Sequence, residues 1–146
     1  MKKSSAVLIT GASTGIGYAS ALHFALEHNY TVFAGVRKTH DGEKLQAAAP
    51  GKIIPLKLDV TNVKDVESAK KFLAEKSRDF SLQGLVNNAG IAIGGPIEFL
   101  NINDLRLQLE VNVLGAVQMI QLVLPFLREE KNQARIVNIS SISGRL

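Results

Sequence analysis

The sequence predicts an α/β fold in which helices cover both faces of a doubly wound parallel sheet. Five short apolar stretches alternate with four stretches of helical periodicity along the 146 residues. Most of the apolar stretches are continuous runs, as in parallel strands that are buried on both faces. The first of them ends in closely spaced glycines, Gly11, Gly15 and Gly17, where a helical pattern begins. This order of elements is typical of folds that bind a ligand at the ends of their strands.

The strands are predicted in chain order as residues 6–10, 31–36, 52–58, 84–87 and 134–139. Right-handed crossovers between parallel strands favour the sheet order 3-2-1-4-5. One residue tests that order. Pro55 lies inside the third strand and cannot donate a hydrogen bond to a neighbour, so this strand is expected at an edge of the sheet. The predicted order places it there, and places the fifth strand at the other edge.

The helices are predicted between the strands, as residues 15–28, 41–49, 62–78 and 103–131. Asn62, with Asp65 three residues later, resembles a capping box at the start of the third helix. In the fourth helix, the helical period places Leu109 and Val123 on one apolar face. Pro125 is expected to kink the same helix near its end.

Composition restricts the class of protein. Hydrophobic residues make up 46% and charged residues 21%, which is typical of one soluble globular domain, here residues 1–146. The net charge of +4 is dispersed along the chain, so no nucleic-acid surface is expected. The absence of cysteine excludes disulfides and thiolate metal ligands, and we expect no metal site. No segment is predicted to span a membrane, and the expected compartment is the cytoplasm.

The glycine-rich turn at residues 10–17 is the first candidate site. Glycines at a strand-to-helix turn let the backbone approach a bound group, and the following helix directs its free N–H groups toward it. The context favours a cofactor pyrophosphate as the bound anion. No Gly-Lys-Ser or Gly-Lys-Thr follows the glycines, which excludes a P-loop. The alternative is a turn whose glycines serve only the packing of helix on strand.

Arg37 stands where a fold of this class selects the cofactor ribose, after the second predicted strand. An acid at this position would hold the 2′-hydroxyl of NAD, but residues 35–38 read Gly-Val-Arg-Lys. The planar guanidinium of Arg37 can pair with a 2′-phosphate, which favours NADP. The alternative is an ordinary exposed arginine in a loop.

Five motifs occur in order over essentially the whole chain. They are Thr-Gly-x-x-x-Gly-Ile-Gly at 10–17, Asp-Val at 59–60, Asn-Asn-Ala-Gly at 87–90, Val-Asn-Val at 111–113 and Asn-Ile-Ser-Ser at 138–141. Together they resemble the short-chain dehydrogenase/reductase family. The resemblance implies a Rossmann-like fold and hydride transfer between an alcohol and a carbonyl, with NADP as cofactor and NAD as the alternative.

The resemblance also implies roles for individual residues. The implied cofactor-binding residues are Gly11, Ser13, Gly15, Ile16, Gly17, Arg37, Asp59, Val60, Asn87, Ala89 and Gly90. Two further residues are implied in catalysis: Ser141 polarises the substrate oxygen, and Asn112 orders a proton relay. The residues by themselves leave alternatives open, since Asp59 can cap the third helix and Asn87 can serve a turn.

The Tyr-x-x-x-Lys pair of this family does not occur in the chain. Hydride transfer leaves an oxyanion that must be protonated, and a cation must lower the pKa of a tyrosine from ~10 for that task. Tyr18 and Tyr30 are followed four residues on by Leu22 and Ala34. We therefore expect an incomplete chain, with a sheet unfinished on its C-terminal side, that is inactive by itself.

Within the family, the chain is similar to the retinol, 17β-hydroxysteroid and 3-hydroxybutyrate dehydrogenases. That similarity implies a small-molecule alcohol or carbonyl substrate of apolar character, and the family implies a homo-dimer or homo-tetramer for the full-length protein. Two other functions stay open: a non-catalytic dinucleotide-binding or redox-sensing module, and a domain with only a structural or interaction role. Cofactor titration separates the last of these from the others.

Overall fold

The computed structural model describes residues 3–129 and 134–145. Its strands and helices alternate along the chain. They are β1 (Ser4–Ile9), α1 (Gly15–Leu26), β2 (Thr31–Val36), α2 (Thr39–Ala48), β3 (Ile53–Lys57), α3 (Val63–Lys76), β4 (Phe80–Asn87), α4 (Ile102–Leu109), a π-helical segment (Glu110–Gly115), α5 (Ala116–Leu127) and β5 (Arg135–Asn138). Short 3₁₀ turns cover Ile97–Phe99 and Ile142–Arg145.

The strands form one parallel sheet in the order β3-β2-β1-β4-β5, which confirms the predicted order. The central strand β1 pairs with β2 and β4, so that Leu8 lies between Phe33 and Leu85. Pro55 lies opposite Ala34 in the edge strand β3. Its missing N–H group therefore costs the sheet no ladder hydrogen bond.

Two hydrophobic clusters lie on opposite faces of the sheet, because successive strand residues point to opposite sides. Leu8 belongs to the cluster that includes Met119 of α5, whereas Ile9 belongs to the cluster that includes Leu45 of α2. All four side chains are fully buried. Both faces of β1 are covered, which explains why its sequence is a continuous apolar run.

Strand β4 begins earlier than predicted. It starts at Phe80 rather than at residue 84, and its first three residues pair with Ser4, Ser5 and Ala6 of β1. Gln83 and Gly84 interrupt the apolar pattern, which concealed the start of the strand. The register between the two strands also shifts between Ala6 and Val7. The other predicted boundaries that fall on described residues agree to within two positions, a difference that is common at helix and strand ends.

The predicted single helix at residues 103–131 is interrupted by the π segment Glu110–Gly115, and residues 130–131 lie outside the described residues. Pro125 lies inside α5. Leu109, which we placed on the apolar face, is 59% exposed. A π turn holds an extra residue and so rotates α4 relative to α5. The apolar face deduced from a constant helical period therefore does not extend to Leu109.

One stretch of described helix, Ile102–Leu127, is long and apolar enough to cross a membrane by length and composition alone. The expectation that no segment would reach this threshold is wrong. The core helix of a soluble protein passes the same test, so the finding is weak evidence for a span. Met119 and Val123 of this stretch are fully buried in the hydrophobic cluster that contains Leu8.

Candidate functional site

The glycine-rich turn between β1 and α1 has a backbone that only glycine satisfies at several positions. Gly11 and Gly15 have positive φ angles of 63° and 56°, which residues with a Cβ rarely adopt. A Cβ on Gly17 would lie 2.4 Å from Asn88 Nδ2 and 2.4 Å from the carbonyl oxygen of Gly11. Packing alone explains Gly11 and Gly17, but it does not explain Gly15.

Gly15 faces open space at the start of α1, since no described atom outside its chain neighbours and its own helix backbone would lie within 4 Å of a Cβ there. The N-cap residue Thr14 makes no side-chain capping bond within the described structure, and the first turn holds no acidic residue. The first N–H groups of α1 and the positive end of its dipole are thus available to an anion. Ser13 is half-buried and Ile16 is 60% exposed in the same turn. The turn fits a pyrophosphate.

Thr10 contacts the candidate site, although it was not among the predicted cofactor-binding residues. Its Oγ1 accepts hydrogen bonds from the N–H groups of Asn88 (3.0 Å) and Ala89 (2.9 Å). In return, Asn88 Nδ2 donates to the carbonyl oxygens of Thr10 (3.1 Å) and Gly11 (2.9 Å). These bonds hold the loop after β4 against the glycine turn. A threonine that ends a buried strand just before the glycines was the available signal.

Asn87 uses its side chain within the fold. Its Nδ2 donates to Asn138 Oδ1 (2.9 Å) and to the carbonyl oxygen of Ala116 (3.3 Å). Its Oδ1 is buried and has no partner among the described residues. The side chain therefore joins β4 to β5 and α5, a contact that the motif at 138–141 did not predict for Asn138. The register that places Asn138 opposite Asn87 becomes visible only when the strands pair.

Asp59 organises the turn between β3 and α3. Its Oδ1 accepts hydrogen bonds from the backbone N–H (2.9 Å) and the hydroxyl (2.7 Å) of Thr61. Asn62 caps α3 by accepting from the N–H groups of Lys64 and Asp65. The second half of the predicted capping box is wrong, because Asp65 Oδ2 accepts from the N–H of Asp59 instead of Asn62. Asp59 is therefore not the cap of the third helix.

Side chains of opposite charge lie close together near the carboxyl ends of β2 and β3. Burial raises the pKa of the Asp59 carboxyl, but the two Thr61 hydrogen bonds and the positive charges of Arg37 and Lys57 outweigh it and leave the pKa below its ordinary value. Lys57 also pairs with Asp65 at 3.3 Å, and Arg37 is exposed. An ionised carboxylate suits ribose hydroxyls, and an exposed guanidinium suits a phosphate.

We expect Asp59→Asn to remove a pH-dependent part of the stability. A carboxyl whose folded pKa is depressed stabilises the fold above its unfolded pKa, about 3.9, and the contribution is lost as the pH falls through the folded pKa. The difference in unfolding free energy between wild type and variant should be constant near neutrality and shrink in acid. Denaturant unfolding at stepped pH measures it, with Asp79→Asn as a control for the loss of one surface carboxylate. A difference that does not change with pH would contradict this expectation.

The other cofactor-binding candidate on this loop, Val60, is buried against the long helix, which is the continuous helical stretch Ile102–Leu127. A Cβ on Gly115 would lie 2.5 Å from Val60 Cγ2, so the last residue of the π segment allows the two backbones to approach. Val60 itself is 5% exposed. The π segment is thus in contact with the loop that carries Asp59.

Asn112, in the middle of the π segment, holds the loop that follows β4. Its Oδ1 accepts from the N–H of Ile91 (2.9 Å), and its Nδ2 donates to the carbonyl oxygen of the same residue (2.8 Å). Gln108, four residues earlier, accepts from the N–H of Ile93 at 2.6 Å. Gln108 is a further residue that the sequence analysis missed, since no motif contains it. Gly90 is exposed beside Asn112.

Ser141 lies beyond β5, where its Oγ accepts from the N–H of Ser143 at 3.2 Å. Ile139 donates its N–H to the carbonyl oxygen of Asn87, so the chain after β5 still follows β4. Ser141 therefore belongs to the same carboxyl edge of the sheet as the glycine turn. Within the described residues, Ser141 and Asn112 are not joined by a hydrogen bond.

The predicted residues thus divide into three groups along one edge of the sheet. The glycine turn contacts Ala89 directly, whereas Arg37 and Asp59 lie at the ends of β2 and β3, and Ser141 follows β5. The strand order reverses between β1 and β4. Open α/β sheets bind ligands at such a switch point, outside the carboxyl ends of the strands.

Comparison with known proteins gives consistent matches. A family model described as short chain dehydrogenase matches residues 5–146. The chain is 40% identical over 140 residues to 3-amino-tetrahydro-pyrrolizinone reductase of Xenorhabdus hominickii, which covers 96% of this chain and 46% of that protein. It is 35% identical over 144 residues to NADP-dependent 3-hydroxy acid dehydrogenase of Schizosaccharomyces pombe, with coverage of 95% and 54%.

Solved structures agree with these matches. The crystal structure of a short-chain dehydrogenase from Streptomyces avermitilis superimposes with a TM-score of 0.88 at 32% identity. The match covers 100% of this chain and 52% of that one. The chain thus spans about half the length of the relatives that it matches.

Proposed function

The chain belongs to the short-chain dehydrogenase family, and on that premise we propose that it binds NADP(H) for hydride transfer between an alcohol and a carbonyl. Because it spans about half the length of its relatives, the reaction is proposed for a protein that contains this chain. The observation that carries the proposal is the glycine turn. Gly15 opens onto free space beside a helix N-terminus that lacks a side-chain cap within the described structure.

The chain offers a group for each part of the cofactor. We assign the pyrophosphate to the turn at Gly15 and the adenosine ribose to the carboxylate of Asp59. We assign the 2′-phosphate to Arg37, which is exposed and close enough to Asp59 to lower the pKa of the Asp59 carboxyl. The nicotinamide end then extends toward Gly90 and the loop that Asn112 holds. When bound, the nicotinamide supplies or accepts the hydride.

Two side chains are proposed to act on the substrate side. The Ser141 hydroxyl can donate a hydrogen bond to a substrate oxygen and so stabilise negative charge on it. The Asn112 side chain fixes the backbone of Ile91, which keeps the loop after β4 in place. Ile142, next to Ser141, is 84% exposed, and this supports a small alcohol or carbonyl substrate with apolar character.

A homo-oligomer is proposed as well, on the uncovered side of the long helix. Leu109, Val113 and Val117 are between 44% and 59% exposed on neighbouring turns. Soluble proteins rarely leave such an apolar stripe in contact with water. A second copy of the same protein is the occupant that we propose for it.

Cofactor titration tests the proposal. We expect NADPH to bind the wild-type chain, and Arg37→Ala to weaken NADPH by roughly 10- to 100-fold, because one charge-assisted contact to the 2′-phosphate is lost. NADH affinity should change little. Isothermal titration calorimetry measures both affinities. Arg78→Ala is the control, because Arg78 is exposed before the amino end of β4, whereas Arg37 follows the carboxyl end of β2.

Binding of neither nucleotide by the folded wild type would overturn the proposed function. An unchanged preference for NADPH in Arg37→Ala would overturn only the phosphate assignment. The two outcomes are separate, since the first concerns the glycine turn and the second concerns the ends of β2 and β3.

A dinucleotide-binding module without catalysis is the second candidate. Tyr30 donates its hydroxyl to Gln83 at 2.9 Å, and neither Tyr30 nor Tyr18 precedes a lysine by four residues. Both candidates therefore predict NADPH binding by the chain. Only the first predicts carbonyl-dependent NADPH oxidation by the protein that contains it.

A further inference from the structure

The loop after β4 runs beside the long helix in a regular way. Ile91 and Ile93 are half-buried, whereas Gly90, Ala92 and Gly94 are exposed. This alternation has the period of two residues that is typical of extended chain. The half-buried residues are the ones whose backbone N–H groups are held by side chains of the helix.

The spacing of the two amide side chains matches this period. Gln108 and Asn112 are four residues apart, a rise of about 6 Å along a helix. Two residues of extended chain rise by about 6.6 Å. Gln108 accepts from Ile93 and Asn112 accepts from Ile91, so the loop runs antiparallel to the helix. The two side-chain amides thus accept the backbone hydrogen bonds that a neighbouring strand would otherwise accept from this segment.

The other end of the loop is held by the glycine turn. Thr10 Oγ1 accepts from the N–H groups of Asn88 and Ala89. Gly90 lies between this anchor and the Asn112 anchor, and it is exposed. Its position therefore depends on hydrogen bonds on both sides, and the Gln108 bond is the last in the series.

We propose that Gln108 is a positioning residue for the nicotinamide half of the cofactor, a role that rests on the proposed function. It acts through Ile93: by holding that N–H group, it keeps the loop from Gly90 to Ile93 in place along the helix. The adenosine half is held at Asp59 and Arg37, which Gln108 does not touch. Its loss should therefore affect one half of the cofactor selectively.

The test compares Gln108→Leu, which removes the acceptor at similar size, with Gln108→Glu, which keeps an acceptor oxygen. Gln121→Leu is the matched control, because Gln121 is exposed on α5 of the same long helix. Amide hydrogen exchange is measured at Ile91 and Ile93 by NMR on the folded chain. Calorimetry then measures the affinity for NADPH and for 2′,5′-ADP, which represents the adenosine half alone.

We expect Gln108→Leu to exchange the Ile93 amide about tenfold faster, as the loss of one hydrogen bond predicts. NADPH should bind several-fold more weakly, and 2′,5′-ADP should bind as it does to the wild type. Gln108→Glu should restore most of the protection and the NADPH affinity. Gln121→Leu should change none of these quantities.

Three outcomes would overturn the inference. One is unchanged exchange at Ile93 in Gln108→Leu, and another is unchanged NADPH affinity. The third is an equal loss for NADPH and 2′,5′-ADP, which would indicate general destabilisation. A wild type that binds neither probe overturns the proposed function itself and the positioning role with it, whatever the exchange rates are.

Discussion

Gly17→Ala is expected to destabilise the chain by about 3 kcal/mol, at the upper end of ordinary overpacking costs, and to abolish NADPH binding. The added Cβ would lie 2.4 Å from Asn88 Nδ2 and 2.4 Å from the carbonyl oxygen of Gly11. One of these neighbours is backbone and cannot rotate away. The other is the amide that holds the loop after β4 to the turn.

Either relaxation damages the candidate site. A shift of Gly11 moves the turn that faces the proposed pyrophosphate, and a shift of Asn88 breaks hydrogen bonds of 3.1 and 2.9 Å to the carbonyl oxygens of Thr10 and Gly11. Urea unfolding measures the stability of the variant, and calorimetry measures its affinity for NADPH.

Gly51→Ala is the control for glycine replacement as such. Gly51 has a φ of 73°, but no described atom would lie within 4 Å of its Cβ. The substitution should therefore introduce backbone strain of about 1 kcal/mol without a clash, and it should leave NADPH affinity unchanged. Equal stability of Gly17→Ala and Gly51→Ala would contradict the clash expected at Gly17.

Thr10→Val should destabilise the chain by about 2 kcal/mol, because two partly buried N–H groups lose their acceptor. Valine has nearly the same shape as threonine, so the substitution removes the hydroxyl with little change in packing. The N–H groups of Asn88 and Ala89 now donate to this hydroxyl at 3.0 and 2.9 Å. Their amide exchange should accelerate, and NADPH affinity should fall with the loosening of the loop.

Thr10→Ser separates the hydrogen bonds from the packing of the methyl group. It keeps the oxygen and removes one methyl, which costs about 1 kcal/mol at a buried position. Urea unfolding of both variants, with hydrogen exchange at Asn88 and Ala89, makes the comparison. Equal protection of these amides in the valine and serine variants would contradict the role of the hydroxyl.

Local patterns were sufficient for most of the fold. Continuous apolar runs predicted the strands, and Pro55 placed the third strand at an edge, because a missing N–H has the same consequence in any tertiary context. The interruption at Glu110–Gly115 was not predictable in this way. Its residues have ordinary helical periodicity, and the contacts that the π turn makes are with Ile91 and Val60, which are distant in sequence.

Part of the candidate site was likewise predictable from local patterns, and part was not. The sequence by itself determined the order of strands and helices and the glycine turn between β1 and α1, because backbone preferences and apolar periodicity act over a few residues. Only the tertiary structure decided which amides hold the loop after β4. Thr10 contacts Asn88, 78 residues further along the chain, and Gln108 contacts Ile93, 15 residues earlier. Such hydrogen bonds depend on how the sheet and the long helix pack, and no local pattern encodes them.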